Sequence, residues 1–339
     1  MRGRDFQVAF VYNLESAIVK GECQDLIALQ CTASTTQHLY EALSSLGYST
    51  IKIAVQDSLE ELKQNLDSFS NQDTFIFNNC DGFSGDNLGS VLVTHVIEDL
   101  DFKHTGSTAE VIAQCIDKSL AKERLIRYGI PTPCYQVFKQ PEGVVRCNFP
   151  LIVKPLTEDA SLGIDFDSVT TNDKDLFARV DYVISKYHEP AMVEEFIQGR
   201  ELAVAMWGNE TVEALPIAED DYSWISDPLK CLLTYEAKWI PESPYYQNTL
   251  VRCPADLSLE EEQCVVQTAI GAYKAMGLRD FGRVDIRYYN QIPYVIDINE
   301  IPDLSPDAGY PRTAMVAGYS YAEMVERLLD FALRREGWR

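Results

Sequence analysis

Phe281-Gly282-Arg283-Val284-Asp285-Ile286-Arg287-Tyr288-Tyr289, then Asn290-Gln291, then Ile292-Pro293-Tyr294-Val295-Ile296-Asp297-Ile298-Asn299, places charged side chains at regular intervals among apolar ones. Two runs rich in β-branched and aromatic residues around a polar turn read as a β-hairpin. Side chains alternate across a strand, so Arg283, Asp285 and Arg287 share one face, and Asp297 and Asn299 share a face on the return strand. Paired symmetrically about Gln291, Asp285 falls opposite Asp297 and Arg283 opposite Asn299. Directly opposed carboxylates repel each other. A hard divalent cation turns that repulsion into a binding site, and Asp, Asp and Asn supply the oxygen donors that magnesium prefers. A solvated hairpin face in a slightly different register is the open alternative.

Elements on either side give the hairpin its setting. Ser258 to Met276 reads as a helix, with Ser258 and Glu261 forming a capping box and Glu260, Glu261 and Glu262 suiting the positive end of the helix dipole. A last helix is expected from about Tyr321 to Arg334. Upstream, helix signals vanish from Pro190 to Met206. Lys118 to Arg127 reads as a short helix stopped by Gly129, Pro131 and Pro133. The first hundred residues alternate: Gln7 to Tyr12 is strand-like, Thr36 to Leu46 helical, Thr50 to Val55 a strand, Leu59 to Leu66 helical, and Thr74 to Phe77 a buried strand. Such alternation implies βαβ units on a parallel sheet. Parallel sheets place ligands at the carboxyl ends of their strands, so Tyr12-Asn13 and Asn78-Asn79 are candidate substrate positions, or else ordinary turn residues.

Composition narrows the function classes. A chain of 339 residues fits two or three lobes rather than one small core. The net charge of −23 argues against nucleic acid or an anionic membrane as partner. It also means that any bound polyphosphate needs local cations to offset an acidic whole. Nine cysteines, an odd number with no CxxC pair, suit reduced thiols, and together with only four histidines they argue against a zinc cage. Met1-Arg2-Gly3-Arg4-Asp5 runs straight into the first strand without the apolar stretch of a signal peptide, so a cytoplasmic protein is expected.

The hairpin resembles the magnesium motif of the ATP-grasp family, in particular its D-alanine–D-alanine ligase branch. There an R-V-D strand precedes an E-V-N strand and an N-x-x-P-G loop; here stand Arg283-Val284-Asp285, Asp297-Ile298-Asn299 and Ile301-Pro302-Asp303. The resemblance implies Asp285, Asp297 and Asn299 as magnesium ligands, with Asp297 a shorter arm than the usual glutamate, and Arg283 as the group that stabilises the tetrahedral intermediate. Further matches follow in the family's order. Asp117-Lys118 and the strand end Leu151 to Pro155 carry Lys118 and Lys154, which resemble the family's phosphate-contacting pair. Thr157-Glu158-Asp159-Ala160-Ser161-Leu162-Gly163 resembles the loop that closes over the phosphates, with Glu158, Ala160 and Ser161 at the nucleotide. Met192 to Val204 resembles the strand over adenine, implying Glu194, Glu195 and Ile197 near the base and Glu201 at the ribose. Tyr235-Glu236-Ala237-Lys238-Trp239 resembles Y-E-A-K-Y, whose lysine touches phosphate and substrate. Arg283, Lys238 and Ser161 are thereby the expected catalytic residues.

The implied fold is α/β: a parallel-sheet domain preceding the ATP-grasp pair (1–107), a central lobe (108–205) and a C-terminal lobe with the metal and substrate site (206–339), the two lobes clasping ATP. The implied cofactors are ATP and Mg²⁺, two ions, replaceable by Mn²⁺. The implied partners are a small-molecule carboxylate and amine, with a homodimer allowed. The implied chemistry is amide formation through an acylphosphate. Departures in the acceptor loop, Asp303 at the family's glycine and Ala308 at its serine, with Trp239 for tyrosine, point away from a strict D-alanine–D-alanine ligase. Where the family carries a glutamate for the donor's amino group, Glu15 and Glu22 are the candidates. A genuine cell-wall ligase, an ATP-grasp enzyme ligating something other than an amino acid, and an ATP-binding protein without catalysis are the alternatives.

Overall fold

In the computed structural model, which describes residues 6–15, 17–56, 58–83 and 85–339, the N-terminal alternation forms a parallel sheet. Strands β1 (Gln7–Asn13), β2 (Ser49–Val55) and β3 (Thr74–Asn78) pair in the order β2-β1-β3. β3 is buried along its whole length, the pattern of a parallel strand covered on both faces. Between β1 and β2 the helix begins at Cys31 rather than Thr36 and ends at Ser45. Its first two turns bury Thr32, Thr35 and Thr36, so the inward stripe there is polar and escapes an apolar count. The opening Met1 to Asp5 lies outside the described residues, and with it that part of the expectation about a leader.

Strands β4 (Tyr135–Phe138), β5 (Leu151–Pro155), β6 (Val169–Thr170) and β7 (Ala191–Glu195) form an antiparallel sheet in the order β4-β7-β5-β6. The helix Asp173–Tyr187 covers it through Leu176, Val180 and Val183. Here one expectation fails. Cys134 and Cys147 are joined as a disulfide, and the other seven cysteines are free. The chain after β4 folds back beside its own strand, bringing residues 13 apart to a Cα separation of 5.8 Å, a closeness that spacing in sequence does not reveal.

The third sheet holds β8 (Arg200–Gly208), β9 (Val212–Ala214), β10 (Ala218–Asp221), β11 (Leu250–Arg252), β12 (Phe281–Tyr289) and β13 (Ile292–Asn299), ordered β11-β10-β8-β12-β13 with β9 on β8. The helix Leu259–Met276 starts at the Ser258 capping box, ends at left-handed Gly277 and buries Val265, Ala269 and Ala272 against this sheet. β8 runs unbroken across the expected division at 205/206. We propose that the central lobe ends after Glu195 instead. A shared core of Val8, Phe10, Phe77, Trp207, Phe281 and the helix Tyr321–Arg335 joins the first sheet to the third. Among the described residues, no helix is long and apolar enough to cross a membrane.

Register in the β12–β13 hairpin is set by two departures from symmetry that cancel. Its turn has two residues, Asn290 and Gln291, both left-handed at φ 49° and 65°. Tyr289 therefore pairs with Ile292, and Ile286 with Val295. Continued regularly, that ladder would set Asp285 against Ile296. A β-bulge after Ile286–Val295 leaves Ile296 unpaired, so Asp285 faces Asp297 and Arg283 faces Asn299. The expected pairs are present, but through a bulge rather than symmetry about Gln291.

Candidate functional site

A cleft of about 930 Å³ opens between the second and third sheets, a size suited to a small-molecule or nucleotide site. Every residue that the resemblance gave for nucleotide, metal or catalysis lines it: Lys118, Lys154, Glu158, Ala160, Ser161, Glu194, Glu195, Ile197, Glu201, Lys238, Arg283, Asp285, Asp297 and Asn299. They come from a helix start, the short helix Tyr235–Trp239, three strand ends, two loops and the bulged hairpin.

Cations gather here despite the acidic whole. The helix Lys118–Arg127 places Lys118 and Lys122 one turn apart on one side. Lys122 donates to Glu194 Oε2 at 2.7 Å, and Lys154 on β5 pairs with the other oxygen, Oε1. Burial works against the Glu194 charge, but the two ammonium groups outweigh it and hold the carboxyl at about 2. Lys118 donates to the Glu158 carbonyl at 2.6 Å and to Asp159 Oδ1 at 3.1 Å. Burial and the Arg283 charge push the Lys238 ammonium below its ordinary range, against Asp303 and Asp285.

The loop between β5 and the Phe166–Ser168 turn is braced rather than free. Ala160 and Ser161 hold left-handed φ values of 55° and 60°, which cost a residue with a Cβ on the order of 1–3 kcal/mol. The Ser161 hydroxyl donates to the Leu233 carbonyl at 3.0 Å, and the Trp239 indole to the Ala160 carbonyl at 2.9 Å. Ser161 thus anchors the loop by its side chain. Lys20 reaches the Glu158 carboxylate at 2.5 Å and Glu189 at 3.1 Å. Burial still pushes Glu158 up to about 7, against Lys20.

On the hairpin, Arg283 grips Asp285 with two parallel hydrogen bonds of 2.7 and 2.8 Å. Asn299 donates its amide nitrogen to Asp285 Oδ2 at 3.1 Å. The chain itself therefore relieves part of the Asp285–Asp297 repulsion, and opposition alone does not demand a cation. The donor set still fits one: two carboxylates and an amide oxygen on one face, chemistry that suits magnesium. With only two carboxylates this set is smaller than a cage of three or more His, Cys, Asp or Glu, and no such cage occurs among the described residues. Glu201 accepts from Tyr222 and Arg287, each at 2.7 Å. Its β10 partner Asp220 is pushed up to about 7 by burial, then by Glu201 and Asp285.

A second cavity of about 940 Å³ shares Asp159, Ala160, Lys238, Arg283 and Asn299 with the first and reaches the carboxyl edge of the parallel sheet. Of the strand-end candidates only Asn79 lines it; Tyr12, Asn13 and Asn78 do not. Glu15 is spent on the Gly85 N–H at 2.9 Å and Glu22 on Lys186 at 3.0 Å, and neither reaches the cavity. Asp303 lines it, whereas Asp307 and Ala308 do not. Sequence reasoning missed Lys20, Lys122, Asp220 and Asp81. Lys122 carried a signal, four residues after Lys118 on a helix; the others meet the site only through tertiary contact.

Comparison with known proteins follows this geometry. Residues 127–330 match the family model described as the D-ala D-ala ligase C-terminus. An uncharacterized protein of Sinorhizobium fredii, y4sG, is 32% identical over 77% of this chain and 75% of its own length. A D-alanine–D-alanine ligase of Pseudothermotoga lettingae is 28% identical over 88% of this chain and 93% of its own. The crystal structure of a D-alanine–D-alanine ligase from Bacillus anthracis complexed with ATP superposes with a TM-score of 0.75 at 19% identity, covering 98% of this chain and 99% of that one.

Proposed function

We propose the function from one premise: the chain belongs to the D-alanine–D-alanine ligase family of ATP-grasp enzymes. It is an ATP-dependent ligase that forms an amide bond and releases ADP and phosphate. In the reading offered here, a carboxylate attacks the γ-phosphate of ATP to give an acylphosphate, and an amine then attacks that carbonyl and expels phosphate.

One observation supports the assignment of residues: the phosphate-type lysines, the arginine and the hairpin oxygen donors converge on a single cleft. Lys118, Lys154 and Lys238 hold phosphate oxygens and neutralise the charge that builds there. Asp285, Asp297 and Asn299 hold Mg²⁺, which when bound screens the polyphosphate and polarises it. Arg283 stands beside the carbonyl oxygen as it becomes tetrahedral and anionic. Glu194 and Glu195 with Ile197 flank the base, and Glu201 receives the ribose hydroxyls. Backbone N–H groups of the 158–163 loop cover the phosphates and exclude water, which would hydrolyse an acylphosphate. A binding-only protein has no need of Arg283 in this position.

The finer part of the proposal is that D-alanine is not the exclusive substrate. Asp303 lines the second cavity where the family has glycine, and Trp239 there lacks the usual hydroxyl. A carboxylate opposite a carboxylate, with a hydrogen bond to charge missing, costs on the order of 1.5–3 kcal/mol, enough to lose most of a tenfold to hundredfold preference. The test is ADP release with D-alanine alone against a panel of L-amino acids, other carboxylic acids and amines. Turnover with other pairs is expected; brisk turnover of D-alanine alone, yielding D-alanyl-D-alanine, contradicts it.

A further inference from the structure

The second cavity is polarised. At the end it shares with the nucleotide cleft stand its only cations among the described residues, Lys238 and Arg283, the latter gripped by Asp285. At the sheet edge stands Asp81, and Asp303 is near enough to feel both Asp81 and the two cations. Thr32 donates to Asp81 Oδ1 at 2.9 Å, and Ser305 donates its N–H and hydroxyl to Asp303 Oδ1 at 2.9 and 2.7 Å. Neither aspartate has an ion-pair partner there among the described residues. The two carboxylates feel each other: enclosure, then the Asp303 charge, push Asp81 up to about 6, and both drive the neighbouring Cys31 thiol up to about 12 after burial does so. Asp159 and Glu300 line the same wall; Asp159 is paired with Lys118, and burial pushes the Glu300 carboxyl well up, toward its neutral form.

A separate observation marks this end as built for a ligand. Thr35 lines the cavity, is 3% exposed, and its hydroxyl has no hydrogen-bond partner among the described residues. A buried hydroxyl without a partner is costly, and a polar ligand seated in the cavity would satisfy it. The two carboxylates accept only, and the hydroxyl can accept as well as donate, so all three together can receive a multiple donor with positive charge.

We propose that the amine substrate carries a second cationic group, as a diamine does, and that this cation sits between Asp81 and Asp303 and donates to the Thr35 hydroxyl. Its other amine then points toward Arg283 and Lys238, where the activated carbonyl forms. An acceptor ending in a carboxylate, such as an ordinary α-amino acid, meets like charge instead. This rests on the ligase reading, because it names the amine of that reaction.

The experiment titrates 1,4-diaminobutane, butylamine and D-alanine calorimetrically into the protein saturated with a non-hydrolysable ATP analogue, alongside ADP-release kinetics. The diamine is expected to bind at least about tenfold tighter than butylamine, the scale of one charged hydrogen-bonded contact. Asp81→Asn and Asp303→Asn should each erase that advantage, raising KM for the diamine with little change in kcat, and Thr35→Val should do so more weakly. Unchanged affinity for the ATP analogue certifies that the variants are folded. Equal binding of diamine and monoamine, or Asn variants that bind the diamine like the parent, overturns the inference. If ADP release proceeds with other amines and ignores these variants, the ligase reading stands and this one falls. If aspartate-dependent diamine binding occurs but no carboxylate releases ADP, the cation site stands and the ligase reading falls.

Discussion

Glu194 shows how one side chain couples the site to stability. It is 2% exposed and sits between Lys122 and Lys154, which hold its carboxyl at about 2 against an ordinary 4.5. A carboxylate whose folded pKa lies below its unfolded one contributes stability that is full above the unfolded value. That contribution is lost as pH falls through the folded value. The window here runs from about 4.5 down to about 2, and the contribution is about 3 kcal/mol, to order of magnitude. Glu194→Gln should therefore be destabilised at neutral pH, with the gap to the parent protein closing as denaturation is repeated from pH 5 toward pH 2. A gap that stays constant with pH contradicts the account. Asp297 is the other decisive residue. Asp297→Asn should abolish turnover while leaving the melting temperature within a few degrees. Near-normal activity at limiting magnesium would remove Asp297 from the metal site.

At the scale of elements, the hairpin β12–β13 was the most legible part of the sequence and the least straightforward in the structure. The facing pairs could be anticipated because alternation fixes which side chains share a face. The bulge could not, since it depends on how β13 twists against β12 rather than on any residue type. The turn makes its own prediction. Gln291 holds φ 65°, a conformation glycine adopts without steric cost, and Asn-Gly is the favoured pair for such turns. Gln291→Gly should stabilise the protein by about 0.5–1 kcal/mol in urea titrations without altering activity, because the turn lies at the far end of the hairpin from Asp285. Destabilisation would mean that the side chain of Gln291 contributes more than its backbone costs. The helices show the same limit of legibility. Ser258 to Met276 and Lys118 to Arg127 were readable from caps and stop signals. The start at Cys31 was not, because its inward face is threonine. Nor was the Cys134–Cys147 pair, which exists only because a loop returns on its own strand.

For the whole molecule, a net charge of −23 leaves a polyphosphate dependent on local cations. Lys118, Lys154, Lys238, Arg283 and Arg287 line one cleft together with seven carboxylates (Glu158, Asp159, Glu194, Glu195, Glu201, Asp285 and Asp297), so the cations there offset the acids without outnumbering them, and a divalent metal would supply the remaining positive charge. The residues of the first cleft could be gathered from the sequence because they sit in short motifs whose order survives in the chain. The second cavity was legible only in part: Asn79 and Asp303 stood out in the sequence, whereas Asp81 in the turn after β3 and Thr35 on the helix Cys31–Ser45 did not, and only the fold brings these two to one cavity with Asp303, more than two hundred residues further on. Glu15 and Glu22 were plausible by position alone, and tertiary contacts commit both elsewhere. The central claim, that this assembly activates a carboxylate as an acylphosphate before an amine displaces phosphate, has one direct test. The protein is incubated with ATP, Mg²⁺, amines and a pool of carboxylic substrates labelled with ¹⁸O in the carboxylate, and the released phosphate is analysed by mass spectrometry. The account predicts one ¹⁸O transferred to phosphate for each amide formed. Amide formation with unlabelled phosphate, or ADP release that no carboxylate stimulates, would contradict it.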